Sequence, residues 1–191
     1  MNFSAVILAG GKSSRMGRDK AFLEFEGTPL LARQVKLARE AGAREIFVSG
    51  RANTDYAAFS CPVLLDDFPD AGPLAGMERA LGACAMPMLL VLAVDMPHMT
   101  ASLLRELAAR CRRDVGVIPR ANGRIEPLAA FYPKASSQLS ASLLVSGAKA
   151  VTGFAERCVR DGLAESIDLP LGRAVCFANW NAPVDLANTN G

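Results

Sequence analysis

Four basic side chains follow the first apolar run of the chain at close spacing. The stretch AVILAGGKSSRMGRDKAFL, residues 5–23, begins as an apolar strand and breaks at a glycine pair before these cations: Lys12, Arg15, Arg18 and Lys20. Glycine directly after a buried strand lets the backbone approach a ligand, because no Cβ is in the way, and successive amides in such a turn can form an anion-binding nest. The pattern predicts a phosphate-binding loop.

This loop differs from the two common glycine-rich nucleotide motifs. GGKSS lacks the earlier glycine of a Walker A loop, and the chain contains no G-x-G-x-x-G for a Rossmann dinucleotide site. Arg15 and Lys20 lie on either side of a further turn at Gly17, so we expect these two cations to bind phosphate. Lys12 and Arg18 are explained equally well as solvated surface charges.

Asp95 follows the apolar run MLLVLAV at residues 88–94. Because this run lacks alternation, it predicts a central strand covered on both faces, and open α/β sheets bind ligands at the carboxyl ends of such strands. Asp95 can cap the next turn or hold a metal ion. We favour a metal, because a cationic loop on a neighbouring strand predicts a magnesium-bound nucleotide and Mg²⁺ prefers carboxylate oxygen. The single histidine, His98, is expected to be a partly exposed polar residue.

An acidic loop precedes the predicted second helix. In DDFPDAGPLAGMERAL the carboxylates of Asp66, Asp67 and Asp70 stand before a helix N-terminus, where negative charge is favourable, so a structural role explains them adequately. Gly76 does not fit that account, because a glycine inside a helix costs about 1 kcal/mol relative to alanine. We expect either a packed strand or a ligand to approach the helix closely there.

Two asparagines lie near the end of the chain, on either side of the only tryptophan. In CFANWNAPVDL, Asn179 and Asn181 surround Trp180 just after a predicted strand at residues 174–177. Amide side chains carry both a donor and an acceptor and suit a substrate with mixed polar edges. Turn formation before a proline-led helical segment remains an equal alternative.

Short apolar runs alternate with amphipathic patterns along most of the chain, which is typical of parallel α/β sheets. We predict strands at residues 3–9, 45–49, 62–65, 88–94, 114–119, 126–133 and 174–177, and helices at 29–41, 74–84 and 102–112, with a last helical turn after residue 183. Thr28 is the predicted N-cap of the first helix and Gly42 its end. The strands at 114–119 and 126–133 are predicted to flank a glycine turn. No linker interrupts the pattern, so residues 1–191 are expected to form a single domain.

Composition restricts the class of ligand. The 191 residues are 51% hydrophobic, and 21 Lys and Arg stand against 19 Asp and Glu, so no global charge attracts nucleic acid or a membrane. The five cysteines are scattered without a C-x-x-C pair, which predicts neither a disulfide framework nor a zinc site. The N-terminus lacks the features of a signal peptide, and no apolar run is long enough to span a bilayer. We therefore expect a cytoplasmic protein with a small anionic ligand.

Five motifs of the chain, in order, resemble those of the MobA-like nucleotidyltransferases and most closely the molybdenum cofactor guanylyltransferases: LAGGKSSRMGRDKAFL, DDFPDAGPLAG, VLAVDMP, EPLAAFY and FANWNAPVDL. The resemblance implies a Rossmann-like three-layer α/β/α sandwich of the nucleotide-diphospho-sugar transferase type, with a mostly parallel sheet. It also implies that GMP from GTP is joined to the phosphate of molybdopterin or molybdenum cofactor, with Mg²⁺ and release of pyrophosphate. Transient contacts with molybdoenzymes or other cofactor-biosynthesis proteins would accompany this role.

The resemblance assigns roles to residues of the first three motifs. It implies phosphate contacts from Lys20, a nucleoside contact from Asp67 and a metal contact from Asp95. Backbone contacts to the nucleotide are implied for Leu8, Ala9, Gly10 and Gly11. We expect Arg15, Lys20 and Asp95 to be catalytic, because nucleotidyl transfer needs positive charge where charge accumulates on phosphate oxygens.

The last motif and the second strand depart from the family pattern. Asn179 and Asn181 match a region linked with the pterin and are implied to bind the acceptor, but the motif appears here as NWNAP, with Trp180 in place of a smaller aliphatic residue. We expect Trp180 to pack. Ser49 stands where the family often has an asparagine that helps to hold the nucleotide.

Guanine is the expected base. The cytidine-using relatives have L-A-A-G where this chain has LAGG, and Gly10 leaves space for a purine. The alternatives are a CTP-dependent cytidylyltransferase, a sugar-phosphate nucleotidyltransferase, and a non-catalytic GTP-binding protein that delivers the cofactor.

Overall fold

The computed structural model describes residues 1–10, 19–66, 68 and 71–180 of the chain. Within them the helices are α1 (Leu30–Ala41), α2 (Pro73–Ala83), α3 (Ala101–Arg110), α4 (Ser137–Val145) and α5 (Val151–Arg160). The strands are β1 (Ser4–Leu8), β2 (Glu24–Phe25), β3 (Thr28–Pro29), β4 (Glu45–Ser49), β5 (Val63–Leu64), β6 (Met88–Ala93), β7 (Gly116–Ala121), β8 (Arg124–Ile125), β9 (Ala129–Pro133) and β10 (Ala164–Asp168).

The main sheet has the order β10-β7-β9-β6-β1-β4-β5, with β8 paired to β7. β1 lies between β4 and β6 and is parallel to both, with Leu8 opposite Ser49 on one side and Ala93 on the other. β9 is antiparallel to β6 and to β7. Every residue of β1 and β6 is buried, as their continuous apolar sequences predict. The expectation of a mostly parallel sheet is confirmed.

Helices cover both faces of the sheet. One apolar cluster joins the sheet to α1 and α3, through side chains such as Leu31 and Leu104. A second cluster on the opposite face joins it to α2, α4 and α5, through Leu74, Leu144 and Phe154. The predicted three-layer α/β/α arrangement is therefore confirmed, and the single domain expected for the whole chain stays a prediction.

The first helix begins two residues later than its predicted cap. Thr28 was the expected N-cap, but it lies in the β2–β3 hairpin, whose turn residues Glu26 and Gly27 have φ angles of 51° and 72°. Pro29 occupies the N-cap position, without a side-chain hydrogen bond. The predicted end at Gly42 is confirmed: its φ is 104° and its N–H donates to carbonyls of the last turn.

The last predicted strand is wrong. Residues 174–177 belong to a 3-10 helix, Leu171–Phe177, in which Cys176 and Phe177 are buried while Val175 is 57% exposed. The edge strand is instead β10, which lies beside β7 and which the sequence analysis did not predict. The helical turn expected after residue 183 lies outside the described residues. No helix in the described part of the chain is long and apolar enough to cross a membrane.

Candidate active site

The carboxyl ends of three neighbouring strands meet at one edge of the sheet. Beyond β1, the N–H groups of Ala9 and Gly10 donate to the Ser49 carbonyl at 3.0 and 2.9 Å, and the Val94 N–H donates to the Leu8 carbonyl at 3.2 Å. These bonds hold residues 9 and 10, directly after β1, beside the residue that follows Val94. That residue is Asp95, so the structure brings together Leu8, Ala9, Gly10 and Asp95 as the sequence predicted.

An ion pair joins the cationic loop to this edge. Lys20 Nζ lies 2.7 Å from Asp95 Oδ2, and the two side chains are only 21% and 18% exposed. Lys20 begins a 3-10 turn, Lys20–Phe22, that Asp19 caps by accepting the Ala21 N–H at 3.0 Å. The buried Tyr56 donates to the other oxygen of Asp19 at 3.2 Å. Asp19 and Tyr56 therefore fix the position from which Lys20 reaches Asp95.

Three successive carbonyls of the turn that carries Asp95 accept hydrogen bonds from other elements. Trp180 N donates to the Asp95 carbonyl at 2.8 Å. From α1, Gln34 Nε2 donates to the Met96 carbonyl at 2.8 Å and Arg33 Nε to the Pro97 carbonyl at 2.9 Å. We call residues 95–97 the carbonyl turn. Because all three carbonyls are bonded, the backbone that presents the Asp95 carboxylate is held from two sides.

Phe25 packs beneath the same turn. The rings of Trp180 and His98 meet it edge to face, with centroids 5.7 and 5.3 Å away, and the Arg33 guanidinium lies 5.0 Å from its centroid. Trp180 is thus partly buried against the core, as expected. His98 is exposed, which fits the prediction of a surface polar residue.

The two glycines singled out in the sequence have different explanations. A Cβ on Gly76 would stand 2.9 Å from Ser49 Cβ and 3.1 Å from Leu8 Cδ2, so the close packing of α2 on the sheet requires a glycine there. A Cβ on Gly10 would have the Ser49 carbonyl oxygen at 3.6 Å as its nearest contact, which is ordinary van der Waals distance. Packing among the described residues therefore does not require Gly10.

Several predicted residues lie outside the described residues, so their placement stays a prediction: Gly11, Lys12, Arg15, Gly17, Arg18, Asp67, Asp70 and Asn181. Asn179 is described and exposed, and its neighbour Trp180 bonds the carbonyl turn. Asp66 accepts a hydrogen bond from Ser49 Oγ at 3.4 Å.

Sequence reasoning missed the residues that position Asp95. Arg33, Asp19 and Tyr56 carried no distinctive signal, because their partners are distant or ordinary in the sequence. Gln34 did carry one: it is a polar residue on the buried face of α1, between Leu31 and Val35, and it is fully buried in the structure. A buried amide of this kind needs a partner, which is the Met96 carbonyl.

Among the described residues, Asp95 is the predicted metal ligand. Asp95 supplies one carboxylate, and no group of three or more metal-ligating side chains occurs among the residues that the structure describes. Mg²⁺ is commonly bound by one or two carboxylates together with substrate phosphates and water. Asp95 is therefore placed to contribute one carboxylate to such a site.

Comparison with known proteins identifies the family. The model of the MobA-like NTP transferase domain matches residues 5–159. The chain belongs to this family. A relative from Opitutus terrae, named probable molybdenum cofactor guanylyltransferase, is 38% identical over 95% of this chain and 92% of its own length. Another from Carboxydothermus hydrogenoformans, with the same name, is 34% identical over 96% of this chain and 93% of its own.

A solved structure agrees with the fold. The molybdopterin-guanine dinucleotide biosynthesis protein A from Archaeoglobus fulgidus is 22% identical, with a TM-score of 0.71 over 98% of this chain and 95% of its own. Members of the MobA-like family are nucleotidyltransferases, which commonly use a divalent metal ion. The ion pair at the strand ends thus lies in a nucleotidyltransferase fold.

Proposed function

We propose that this MobA-like transferase moves GMP from GTP to the phosphate of molybdopterin and releases pyrophosphate. The observation that carries the proposal is the ion pair of Lys20 and Asp95 at the adjoining ends of β1 and β6. It supplies one cation and one metal-ligating carboxylate at the edge where such sheets bind nucleotides. The full-length relatives named molybdenum cofactor guanylyltransferase support the choice of substrates.

The reaction needs charge and alignment more than a base. An oxygen of the acceptor phosphate attacks the α-phosphorus of GTP, a new P–O bond forms, and the bond to the β-phosphate breaks with its electrons going to pyrophosphate. A phosphate monoester is already largely ionised near pH 7, so no general base is required. The protein therefore contributes mainly by positioning the groups and stabilising the developing negative charge.

Lys20 and Asp95 divide this work. In the proposal Lys20 Nζ turns from Asp95 to the phosphates, and the Asp95 carboxylate holds Mg²⁺, which would neutralise charge on the phosphate oxygens. Arg15 and the amides of residues 8–11 would contact the same phosphates, and Asp67 the nucleoside. Asn179 and Asn181 would contact the acceptor.

Guanine is the proposed base. Gly10 leaves space directly after β1, and packing among the described residues does not require a glycine there. An alanine at this position would fit among the described residues, with its nearest contact at 3.6 Å. Because no described residue would clash with that methyl group, a fall in GTP turnover in Gly10→Ala would support a contact between Gly10 and the ligand. An unchanged kcat/KM for GTP would contradict a role of Gly10 in sensing the base.

The test is turnover by the purified chain with molybdopterin and GTP, CTP or ATP, with and without Mg²⁺. With molybdopterin present, we expect guanine dinucleotide and pyrophosphate to form from GTP and no product to form from CTP or ATP. Both products should be lost when the metal is chelated. Preference for CTP, or activity only with a sugar phosphate, would overturn the proposal. Binding of Mg-GTP without pyrophosphate release would favour the delivery protein. Transient contacts with molybdoenzymes, and a cytoplasmic location, stay predictions.

A further inference from the structure

The hairpin after α3 contains a register break. β8 pairs with β7 so that Ile125 lies opposite Arg120, and Glu126 continues this pairing by donating its N–H to the Pro119 carbonyl at 2.8 Å. An uninterrupted ladder would place residue 128 opposite Val117, but Phe131 lies there, so the strand carries three additional residues. We call residues 126–128 the bulge.

The bulge is held by specific contacts. The N–H of Ala129 donates to the Glu126 carbonyl at 3.2 Å and closes the turn. The buried Tyr132 donates its hydroxyl to the Pro127 carbonyl at 2.9 Å. On the facing strand, a Cβ on Gly116 would overlap the Phe131 carbonyl, so only glycine permits the close approach of β7 and β9. Bulges of this kind often redirect a side chain beside an active site.

The bulge lies beside the strand that carries Asp95. Ala93 N donates to the Leu128 carbonyl at 2.8 Å, and Leu92 lies opposite Ala129. β9 pairs with β6 on the side away from β1. Ala9 and Gly10, which follow β1, and the bulge therefore flank Asp95 on opposite sides.

The Glu126 carboxylate lacks the partners that a structural carboxylate has in this protein. Glu45, for comparison, accepts hydrogen bonds from Ser4 Oγ at 2.6 Å and Ala85 N at 2.9 Å. Glu126 is partly buried, and in the part of the chain that the structure describes no group donates a hydrogen bond to its side chain. Burial raises its pKa, and the nearby charge of Arg124 offsets only part of that rise.

Glu126 therefore presents a carboxylate that accepts no hydrogen bond from the described residues, on the bulge that flanks Asp95, and a ligand with N–H donors would supply those hydrogen bonds. We propose that Glu126 binds the N–H edge of the acceptor ring, that is, the adjacent ring N–H and amino group of a pterin. This inference rests on the proposed function. The acceptor phosphate is excluded as its target because like charges repel, and guanine is expected on the other side of Asp95.

The decisive measurement is steady-state kinetics of Glu126→Gln with molybdopterin and Mg-GTP. An amide presents one acceptor and one clashing donor group to the two N–H groups of the ring. Because a hydrogen bond to a charged group is worth about 1.5–3 kcal/mol, we expect the acceptor KM to rise roughly 10- to 100-fold with the GTP KM and Mg²⁺ requirement unchanged. Glu126→Asp should recover part of this loss.

A matched control separates this effect from general loss of negative charge. Glu40→Gln removes a partly exposed carboxylate of α1 that pairs only loosely with Lys36, at 3.8 Å, and should leave all constants unchanged. An unchanged acceptor KM in Glu126→Gln overturns the inference. So does a rise in the GTP KM or in the Mg²⁺ requirement instead, because the carboxylate would then bind base or metal.

The Tm of Glu126→Gln distinguishes a ligand-binding role from a structural role, because the two roles predict changes of opposite sign. Because burial raises the pKa of Glu126 in the folded state, the carboxyl favours folding only below its unfolded pKa, and this contribution is lost as pH rises through the folded value. Above the folded pKa, the ionised side chain is therefore less favourable in the folded state than in the unfolded state. We expect Glu126→Gln to have a Tm at least as high as that of the unsubstituted protein, and a lower Tm would contradict a ligand-binding role.

Failure of the proposed function can be distinguished from failure of this inference. If the unsubstituted protein forms no guanine dinucleotide, the proposed function fails, and calorimetric titration with 6-hydroxymethylpterin decides the role of Glu126. Binding that is weakened by Glu126→Gln supports the inference. Equal binding to both proteins, or binding to neither, overturns it.

Discussion

The ion pair of Lys20 and Asp95 joins positions that are 75 residues apart in the chain. Exposed ion pairs contribute little to stability, but these two side chains are largely covered, so their charges are less screened by water. Each charge keeps the other at the strand ends where phosphate and metal are expected. Besides any contribution to stability, the pair therefore places a cation and a carboxylate together at the strand ends.

Lys20→Ala should reduce turnover strongly while the fold is retained. Removal of one group that stabilises developing charge typically costs about 10²- to 10³-fold in rate. The measurement is kcat with GTP and molybdopterin, with Lys36→Ala as the control, because Lys36 is a 77% exposed lysine of α1. Equal effects of the two substitutions, or near-normal turnover in Lys20→Ala, would contradict a phosphate-binding role.

Asp95→Asn should fold and lose metal-dependent turnover. The hydrogen bond that Trp180 N makes in this turn goes to the Asp95 carbonyl of the backbone, so the substitution leaves it in place. The amide keeps the shape of the side chain but removes the charge that a hard cation needs. Circular dichroism and a Mg²⁺ titration of activity check both parts, and an unchanged Mg²⁺ dependence would show that another group holds the metal.

At the scale of elements, α2 packs unusually close to the sheet through Gly76. The same helix contains a second glycine, Gly82, around which a Cβ would meet no atom within 4 Å. The two positions thus place the same residue type of one helix in opposite surroundings. Their comparison separates packing from backbone entropy.

Gly82→Ala should stabilise the protein and Gly76→Ala should destabilise it. At an open helix position, alanine raises the free energy of unfolding by about 0.5–1 kcal/mol relative to glycine. A methyl group forced against Ser49 and Leu8 lowers it by about 1–3 kcal/mol. Chemical denaturation of the two variants measures both changes. A stable Gly76→Ala variant would mean that α2 can move away from the sheet at little cost.

The elements that sequence could predict are those with strong local patterns. The strand at 88–94 is apolar throughout and lies in the middle of the sheet, and α1 ends at Gly42 as its sequence indicates. β10 was not predicted because AESID is an edge strand with polar residues. Only Ala164 is buried, so the sequence shows no alternation of apolar and polar residues. The short apolar run at 174–177 predicted a strand, but its residues belong to a 3-10 helix in which only Cys176 and Phe177 are buried.

Site prediction was limited in the same way. Lys20 and Asp95 could be proposed from the sequence because a cation in a glycine-containing loop and a carboxylate after a buried strand carry chemical meaning, and the structure shows that the two are in contact. The bonds from Arg33 and Gln34 to the carbonyl turn connect residues 64 and 62 positions apart, and no local pattern encodes such a contact. The three-residue bulge likewise depends on how two strands align, which the sequence of each strand leaves open.

At the scale of the whole molecule, one carboxylate connects separate parts of the fold. Glu45 at the start of β4 accepts hydrogen bonds from Ser4 on β1 and from the backbone of Ala85, which precedes β6. The hydrogen bond from Ser4 is the main cause that lowers the pKa of Glu45, followed by that from Ala85. This end of the sheet lies opposite the candidate site, so its electrostatics affect stability without touching the chemistry.

Ser4→Ala should make the protein less stable at neutral pH. It should also make the stability of the protein less dependent on pH in the acidic range. Because the folded pKa of Glu45 lies below the usual 4.5, its contribution to stability is present above that value and is lost as pH falls through the folded pKa. The Tm difference between the variant and the unsubstituted protein should be greatest near neutral pH and shrink as pH falls through the folded pKa of Glu45. A difference that is constant with pH would show that Ser4 acts by packing alone.

The carbonyl turn also has an optical consequence. Trp180 is the only tryptophan of the chain, and its backbone N–H is bonded to the Asp95 carbonyl while its ring lies against Phe25. The indole fluorescence of the protein therefore comes from one residue, whose backbone is hydrogen-bonded to Asp95, the residue that is expected to hold the metal. A shift of this turn by nucleotide or acceptor would change the polarity around one fluorophore, without background from any other tryptophan. The enzyme thus carries its own spectroscopic probe at the point where its two substrates are expected to meet.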